Sequence, residues 1–179
     1  MQLTSGHNGQ ESDIIDLFTT TFSASEGAEE GKVIGQFVTD LIQTTPQQDL
    51  YVFSAHQGDV LAGCIFFSRL LFQLDKRTVF ILSPVAVRTD MQKQGTGQKL
   101  IAFGLDGLRR EGVDIAVTYG DPDYYSKVGF AQISEDTASA PQKLQYPHGW
   151  LGQNLNGGEI KPLAGASDCV PALNNPDLW

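Results

Sequence analysis

Residues 77–119 restrict the fold of this chain more than any other stretch. "RTVFILSPVAV" (Arg77–Val87) is a long apolar run, and "QKQGTGQKL" (Gln92–Leu100) follows it with two glycines among amide side chains. Leu100, Ile101, Leu105 and Leu108 then recur at helical spacing as far as Gly112, and "VDIAVTY" (Val113–Tyr119) is apolar again. The order is strand, glycine loop, amphipathic helix, strand. A helix joining two neighbouring strands of one sheet sets them parallel, with a right-handed crossover. Ser83 and Pro84 interrupt the first strand. Proline has no N–H for a ladder, so this strand is expected to be distorted near its middle.

The rest of the chain fits around that unit as a mixed α/β layout. "ESDIIDLFTTTF" (Glu11–Phe22) and "KVIGQFVTDLIQT" (Lys32–Thr44) have apolar residues at helical spacing. Ser12 and Asp13 are candidate caps for the first helix, and Pro46 stops the second. "SASEGAEEG" between them reads as an exposed acidic loop. Two β-rich runs from Asp49 to Phe72 meet at Gly58 and Asp59, which suit a hairpin turn. "GDPDYYSKVGF" (Gly120–Phe130) reads as a turn and short helix, with a short strand from Phe130. From Ser134 the composition shifts to Pro, Gly, Asn and Gln. That tail is expected to be irregular, packed in part by Tyr146, Trp150 and Leu151, and poorly ordered at its end.

The net charge of -9 and isoelectric point near 4.6 argue against binding to nucleic acid or to an anionic membrane, both of which need a basic face. Small or cationic partners fit better. Met1 is not followed by a basic and then apolar leader, and no apolar run approaches a membrane span. The expected location is the cytoplasm. The two cysteines, Cys64 and Cys169, make no disulfide framework, and the three histidines, His7, His56 and His148, have no metal-site spacing. No metal is expected, and Cys64 reads as a small core residue.

The bare backbone at Gly95 and Gly97 suits either a bend or a phosphate held by main-chain N–H groups. A P-loop needs Ser or Thr after the lysine, and Lys99 is followed by Leu100. A dinucleotide-binding loop needs a third glycine where Leu100 stands. The remaining pattern, Gln92-x-x-Gly95-x-Gly97, resembles the coenzyme A pyrophosphate loop of the GCN5-related N-acetyltransferases. "YYSKVGF" (Tyr124–Phe130) resembles the Tyr-x-x-x-Gly-Phe element of the same family, one strand further on. "SPVAV", "QKQGTG" and "GDPDYYSKVGF" together look most like its bacterial YhbS-type members.

This resemblance implies a mixed, mostly antiparallel central sheet with a splayed strand pair and flanking helices. It covers most of residues 1–133, the implied domain, leaving 134–179 as a C-terminal extension. It also implies acetyl-CoA as cosubstrate, held by Val85, Ala86 and Val87 on the bulged strand and by Gln92, Lys93, Gln94, Gly95, Thr96, Gly97 and Gln98 in the loop. Val85 and Val87 are equally ordinary core valines by their side chains, and Lys93 and Lys99 equally solvated charges.

The implied reaction moves an acetyl group to an amine by direct attack in a ternary complex. A backbone N–H of the bulged strand serves the oxyanion. Tyr125 matches the family's general acid, a phenol that stays protonated at neutral pH. Tyr124 falls to packing or a substrate wall. An amine of pKa about 10 must lose a proton before attack, and Glu26 and Asp121 are the weak base candidates, acids that more often are simply solvated. The acceptor's identity is open, and the chain reads as a monomer or homodimer. A non-catalytic acyl-CoA sensor or an interaction module on the same fold is the alternative.

Overall fold

The computed structural model describes all 179 residues, and strands and helices are mixed along it. They are β1 (Gln2–Ser5), α1 (Glu11–Glu26), α2 (Ala28–Thr44), β2 (Leu50–Gln57), β3 (Val60–Phe72), β4 (Val79–Val87), α3 (Thr96–Arg110), β5 (Ile115–Tyr119), α4 (Pro122–Tyr125), β6 (Ala131–Gln132), β7 (Trp150–Asn154) and β8 (Ser167–Cys169). The strand order is β1-β2-β3-β4-β5-β7-β6, with β8 beside β3. The sheet is mixed and mostly antiparallel, and β4 and β5 form the parallel pair that the helix between them requires. The chain forms two compact units, 1–67 with 84–104 and 68–83 with 105–179.

In the first unit, helices cover both faces of the strands. Phe18 of α1 meets Phe66 of β3 edge-on at 5.6 Å. Phe67 and Ile65 point to the opposite face, as alternation demands, and meet α3 at Gly104. A Cβ there would lie 2.9 Å from Phe67, so glycine sets how closely the helix crosses the strand. The predicted apolar face of α3 is buried at Leu100 and Ile101. Gly58, at φ +60, begins the two-residue β2–β3 turn, a position that favours glycine.

The expected acidic loop between the first helices is absent. α1 runs on to Glu26 and α2 starts at Ala28, so Glu26, Glu29 and Glu30 are helical residues. Ser, Ala and Glu all tolerate a helix, and only Gly27, at φ +103, breaks it. Ser12 and Asp13 lie inside α1 and are not its cap, which is Gln10 without a side-chain bond. α1 and α2 pack closely because Gly31 and Gly35 face Ser23 and Thr19. A Cβ on Gly31 would stand 2.6 Å from the Thr19 carbonyl oxygen, a backbone atom that cannot rotate away.

The second unit pairs β4 with β5 from Val79↔Ile115 to Leu82↔Thr118, and β5 with β7 from Ile115↔Asn154 to Tyr119↔Trp150. The tail is therefore not irregular throughout: it supplies β7 and β8. Its strands are short, and Gly152 of β7 is covered by Ile133 and Ile160, which hides the usual alternation. Trp150 is buried and donates its indole N–H to the Ala138 carbonyl at 2.8 Å. Leu151 is buried too, but Tyr146 is 64% exposed and packs less than expected. The chain end is held in place. Trp179 donates to the Leu173 carbonyl at 3.0 Å and stacks on Tyr119.

A charged hub ties the tail to the β3–β4 turn. Arg77 donates to both Asp75 oxygens at 2.9 and 2.7 Å and to the carbonyls of Lys161 and Pro162, each at 2.8 Å. Asp75 also accepts the Ala164 N–H at 3.1 Å. The Arg77 side-chain hydrogen bonds hold the Asp75 carboxyl well below the usual carboxylate range. A depressed folded pKa means stability that is present above the unfolded value and lost as pH falls through the folded one.

Two stability outcomes follow from these contacts. Gly31→Ala should destabilise by about 1–2 kcal/mol in denaturant titration, because crowding against a carbonyl outweighs the helix-propensity gain of roughly 1 kcal/mol. An unchanged midpoint would mean that α1 and α2 part without cost. Asp75→Asn should cost about 1–2 kcal/mol at neutral pH, and the gap to wild type should shrink as pH drops below about 4. A gap constant with pH would remove the ion pair as its source.

Candidate functional site

The first part of the site is the end of β4 and the loop after it. The β4–β5 ladder stops at Leu82↔Thr118, two residues before Pro84, although β4 continues to Val87. The Leu82 carbonyl faces β5, where it accepts the Thr118 hydroxyl at 2.9 Å. Arg88 N–H instead bonds the Ala62 carbonyl of β3 at 2.9 Å, and the Ala86 carbonyl lies beside Gly63 of β3. Alternate residues of a regular strand share an edge, so Leu82, Ala86 and Arg88 should face one way. They do not, and the backbone slips by one residue around Pro84, the expected distortion. Val85 and Val87 consequently turn their main-chain groups away from β3. Their side chains are half-buried, and Ala86 is buried.

Beyond the strand, Gln92 donates from its side-chain amide to the Val87 carbonyl at 2.9 Å and fastens the loop to the strand end. Gln94 makes a longer bond to the Asp90 carbonyl, 3.4 Å. Lys93 at φ +60 and Gly95 at φ +78 are both left-handed, a conformation that turns successive N–H groups into a concave nest. The first bond into α3 runs from Lys99 N–H to the Gly95 carbonyl at 3.0 Å. The N–H groups of Thr96, Gly97 and Gln98 precede it and carry the positive end of the helix dipole. A Cβ on Gly95 would meet nothing within 4 Å, so its glycine serves backbone conformation and the space above it is open. This donor set fits an anionic group such as a pyrophosphate.

The second part is the end of β5 and α4. Asp121 caps α4, accepting the Asp123 N–H at 2.9 Å, and its carbonyl accepts the Tyr125 N–H at 3.1 Å. The Tyr125 ring packs edge-on against Tyr124 at 5.0 Å and Phe130 at 5.9 Å. Gly120 is bare because a Cβ would stand 2.6 Å from the same ring. Burial pushes the Tyr125 phenol up to about 12; hydrogen bonding to Thr118 opposes this, and the Tyr124 and Asp121 charges add to it. Burial also raises Tyr124, which is less enclosed.

The structure thus joins Val85, Ala86 and Val87 to the glycine loop, and Asp121 to Tyr125. Glu26 is exposed on the last turn of α1, with no hydrogen bond or ion pair on its carboxylate. Sequence reasoning missed Thr118 and Gly120. A Thr-x-Gly sequence closing an apolar strand just before a Tyr pair was the available signal.

Comparison with known proteins bears on the fold. No family model matches the sequence. An uncharacterized N-acetyltransferase of Escherichia coli K12, YjhQ, is 28% identical over 149 residues, covering 80% of this chain and 78% of that one. The solved structure of the GNAT-family N-acetyltransferase YhbS from E. coli, in complex with CoA, superposes with a TM-score of 0.76 at 21% identity, over 97% of this chain and 92% of that one. A GNAT-family acetyltransferase from Brucella melitensis, in complex with acetyl-CoA, gives 0.70 at 22% identity, over 97% of both chains. The fold is that of the GCN5-related N-acetyltransferases. Sequence likeness to YhbS itself is 35% over 74 residues, 41% of this chain and 44% of the relative.

In this example of the GNAT fold, the raised Tyr125 phenol is open to direct reading. Followed by phenolate absorbance, one tyrosine should titrate near pH 12 only in the folded protein, and Tyr125→Phe should delete that step. Loss of an earlier step would place Tyr125 in water.

Proposed function

We propose that the protein is an N-acetyltransferase that takes acetyl-CoA as donor and an amine as acceptor. The observation that carries this reading is the donor set at the start of α3, three N–H groups ahead of the Lys99–Gly95 bond, following the left-handed Lys93 and Gly95. Two proteins of the same fold were solved with acetyl-CoA and CoA, which supports the same ligand here. All residues assigned to the reaction lie within 1–133, and 134–179 is read as an extension.

Acetyl-CoA supplies an activated acyl group. Gln92, Lys93, Gln94, Gly95, Thr96, Gly97 and Gln98 would hold its pyrophosphate, with Lys93 and Lys99 adding charge. Main-chain groups of Val85, Ala86 and Val87 would take the pantetheine arm and give an oxyanion donor. Tyr125 would hold a proton at its hydroxyl for the leaving sulfur. With its pKa near 12 the phenol keeps that proton at any working pH. Asp121 is the better supported base, since its charge is felt at Tyr125, whereas nothing in the fold directs Glu26. Direct attack by the amine on the bound acyl group then needs no covalent enzyme intermediate.

Calorimetric titration with acetyl-CoA, followed by thiol-release assays against an amine panel, tests the reading. Saturable one-site binding and turnover are expected. Tyr125→Phe, which keeps the ring packing, should lower kcat by roughly 10² while acetyl-CoA affinity stays within about twofold. Unchanged kcat would remove Tyr125 from the acid role, and a folded protein that ignores acetyl-CoA would overturn the function.

A further inference from the structure

β5 is apolar at Ile115, Ala116 and Val117, and it then places a threonine, Thr118, at 0% exposure. Valine has nearly the same shape without a hydroxyl, and a buried hydroxyl is costly unless it is bonded. Thr118 spends its proton on the Leu82 carbonyl at 2.9 Å. Leu82↔Thr118 is the last rung of the parallel ladder, so this bond ties β4 to β5 where the backbone pairing gives out. A closing tie is one use for the hydroxyl. It employs the hydrogen alone and leaves the lone pairs of Oγ1 for a second partner.

That partner is Tyr125. Gly120 follows Thr118 by two residues, the spacing of one strand face, and a Cβ on Gly120 would lie 2.6 Å from the Tyr125 ring and 3.6 Å from the ring carbon that bears the hydroxyl. The bare glycine lets the ring come down beside Thr118, and the two hydroxyls bond. Burial and the charges of Tyr124 and Asp121 oppose a phenolate there, and the bond to Thr118 is the one influence in its favour. At rest, with the Thr118 proton on Leu82, the Tyr125 hydroxyl is left to donate to Oγ1. Once Tyr125 gives up its proton it can only accept, and a bond to an ionised oxygen is about twice as strong as one to a neutral carbonyl. The Thr118 proton then gains by turning from Leu82 to Tyr125.

We propose that Thr118 is a positioning residue for Tyr125, a two-position hydroxyl that donates to the Leu82 carbonyl at rest and to the Tyr125 oxygen after the phenol has released its proton to the leaving sulfur. The proposal rests on the acetyltransferase reading. No proton passes through Thr118: one moves from Tyr125 to the thiolate sulfur, Thr118 keeps its own, and its hydrogen bond exchanges one oxygen acceptor for another.

The test places a ring-fluorinated tyrosine, whose phenol titrates well below that of tyrosine, at position 125 of the full chain and follows its fluorine resonance against pH. Thr118→Val, which keeps the shape, should raise the midpoint by about one pH unit, the scale of one hydrogen bond to a charged oxygen. Thr118→Ser, which keeps the hydroxyl, should restore it. In thiol-release assays on the unlabelled proteins, Thr118→Val should lower kcat by about three- to tenfold with the acetyl-CoA KM held within about twofold, and Thr118→Ser should recover kcat. A midpoint unmoved by Thr118→Val overturns the proposal and leaves Thr118 as a tie between β4 and β5, a role that denaturant titration alone would register. A midpoint moved equally by Thr118→Ser also overturns it, because the effect would then belong to packing, and so does an unchanged kcat. If Thr118→Val fails to fold, Thr118→Ala carries the same expectations. The fluorine titration needs no acetyl-CoA. Wild-type protein without turnover fails the acetyltransferase reading, whereas wild-type turnover with an unmoved midpoint fails this proposal alone.

Discussion

Pro84 has no N–H to give, and a parallel ladder cannot be carried across it unchanged. The pairing of β4 with β5 stops at Leu82, and the backbone slips before it regains β3 at Ala86 and Arg88. That slip turns the main-chain groups of Val85 and Val87 toward the edge that a longer ladder would have consumed. It also sets where β4 ends, and so where Gln92 can reach back to the Val87 carbonyl and start the loop. One missing donor therefore accounts for backbone groups turned away from β3, one of which, the Val87 carbonyl, ties down the loop that leads into α3.

The electrostatics have the same local character. The chain carries a net charge of -9, yet the glycine loop presents N–H donors, a helix N-terminus and two lysines. An anion at that loop would be received by oriented dipoles and not by the protein's overall field, which repels it. Tyr125 works from the opposite principle. Gly120, Tyr124 and Phe130 crowd a half-buried ring, and that desolvation disfavours a phenolate.

The parts of the fold that follow from local chemistry were readable in the sequence. α3 showed its buried face through Leu100, Ile101, Leu105 and Leu108, and the β2–β3 turn showed itself through Gly58. The parallel pair followed from a helix between two strands, and the β4 distortion from Pro84. What was hidden depends on tertiary partners. Gly31 and Gly35 look like helix breakers, but they are the notch into which α1 fits. β7 has no alternating pattern because Gly152 is covered by isoleucines from outside the strand. Thr118 and Gly120 gained meaning only once the Tyr125 ring was seen beside them. Glu26 was chosen by family position alone, and the fold leaves its carboxylate in solvent.

Cys64 lies fully buried behind α1, its thiol pushed up to about 12 by burial and within 3.6 Å of the Ser54 hydroxyl. Cys169 is half-buried beside β3, and burial raises it too. Thiolate is the form that reacts with disulfide reagents and alkylating probes. Cys64 is accordingly shielded from such probes, while the part-buried Cys169 is the thiol that a chromogenic reagent would meet first in the folded protein. Its burial makes Cys64 a built-in reporter, since in a Cys169→Ser background its labelling rate would count the moments at which the sheet beneath α1 comes open.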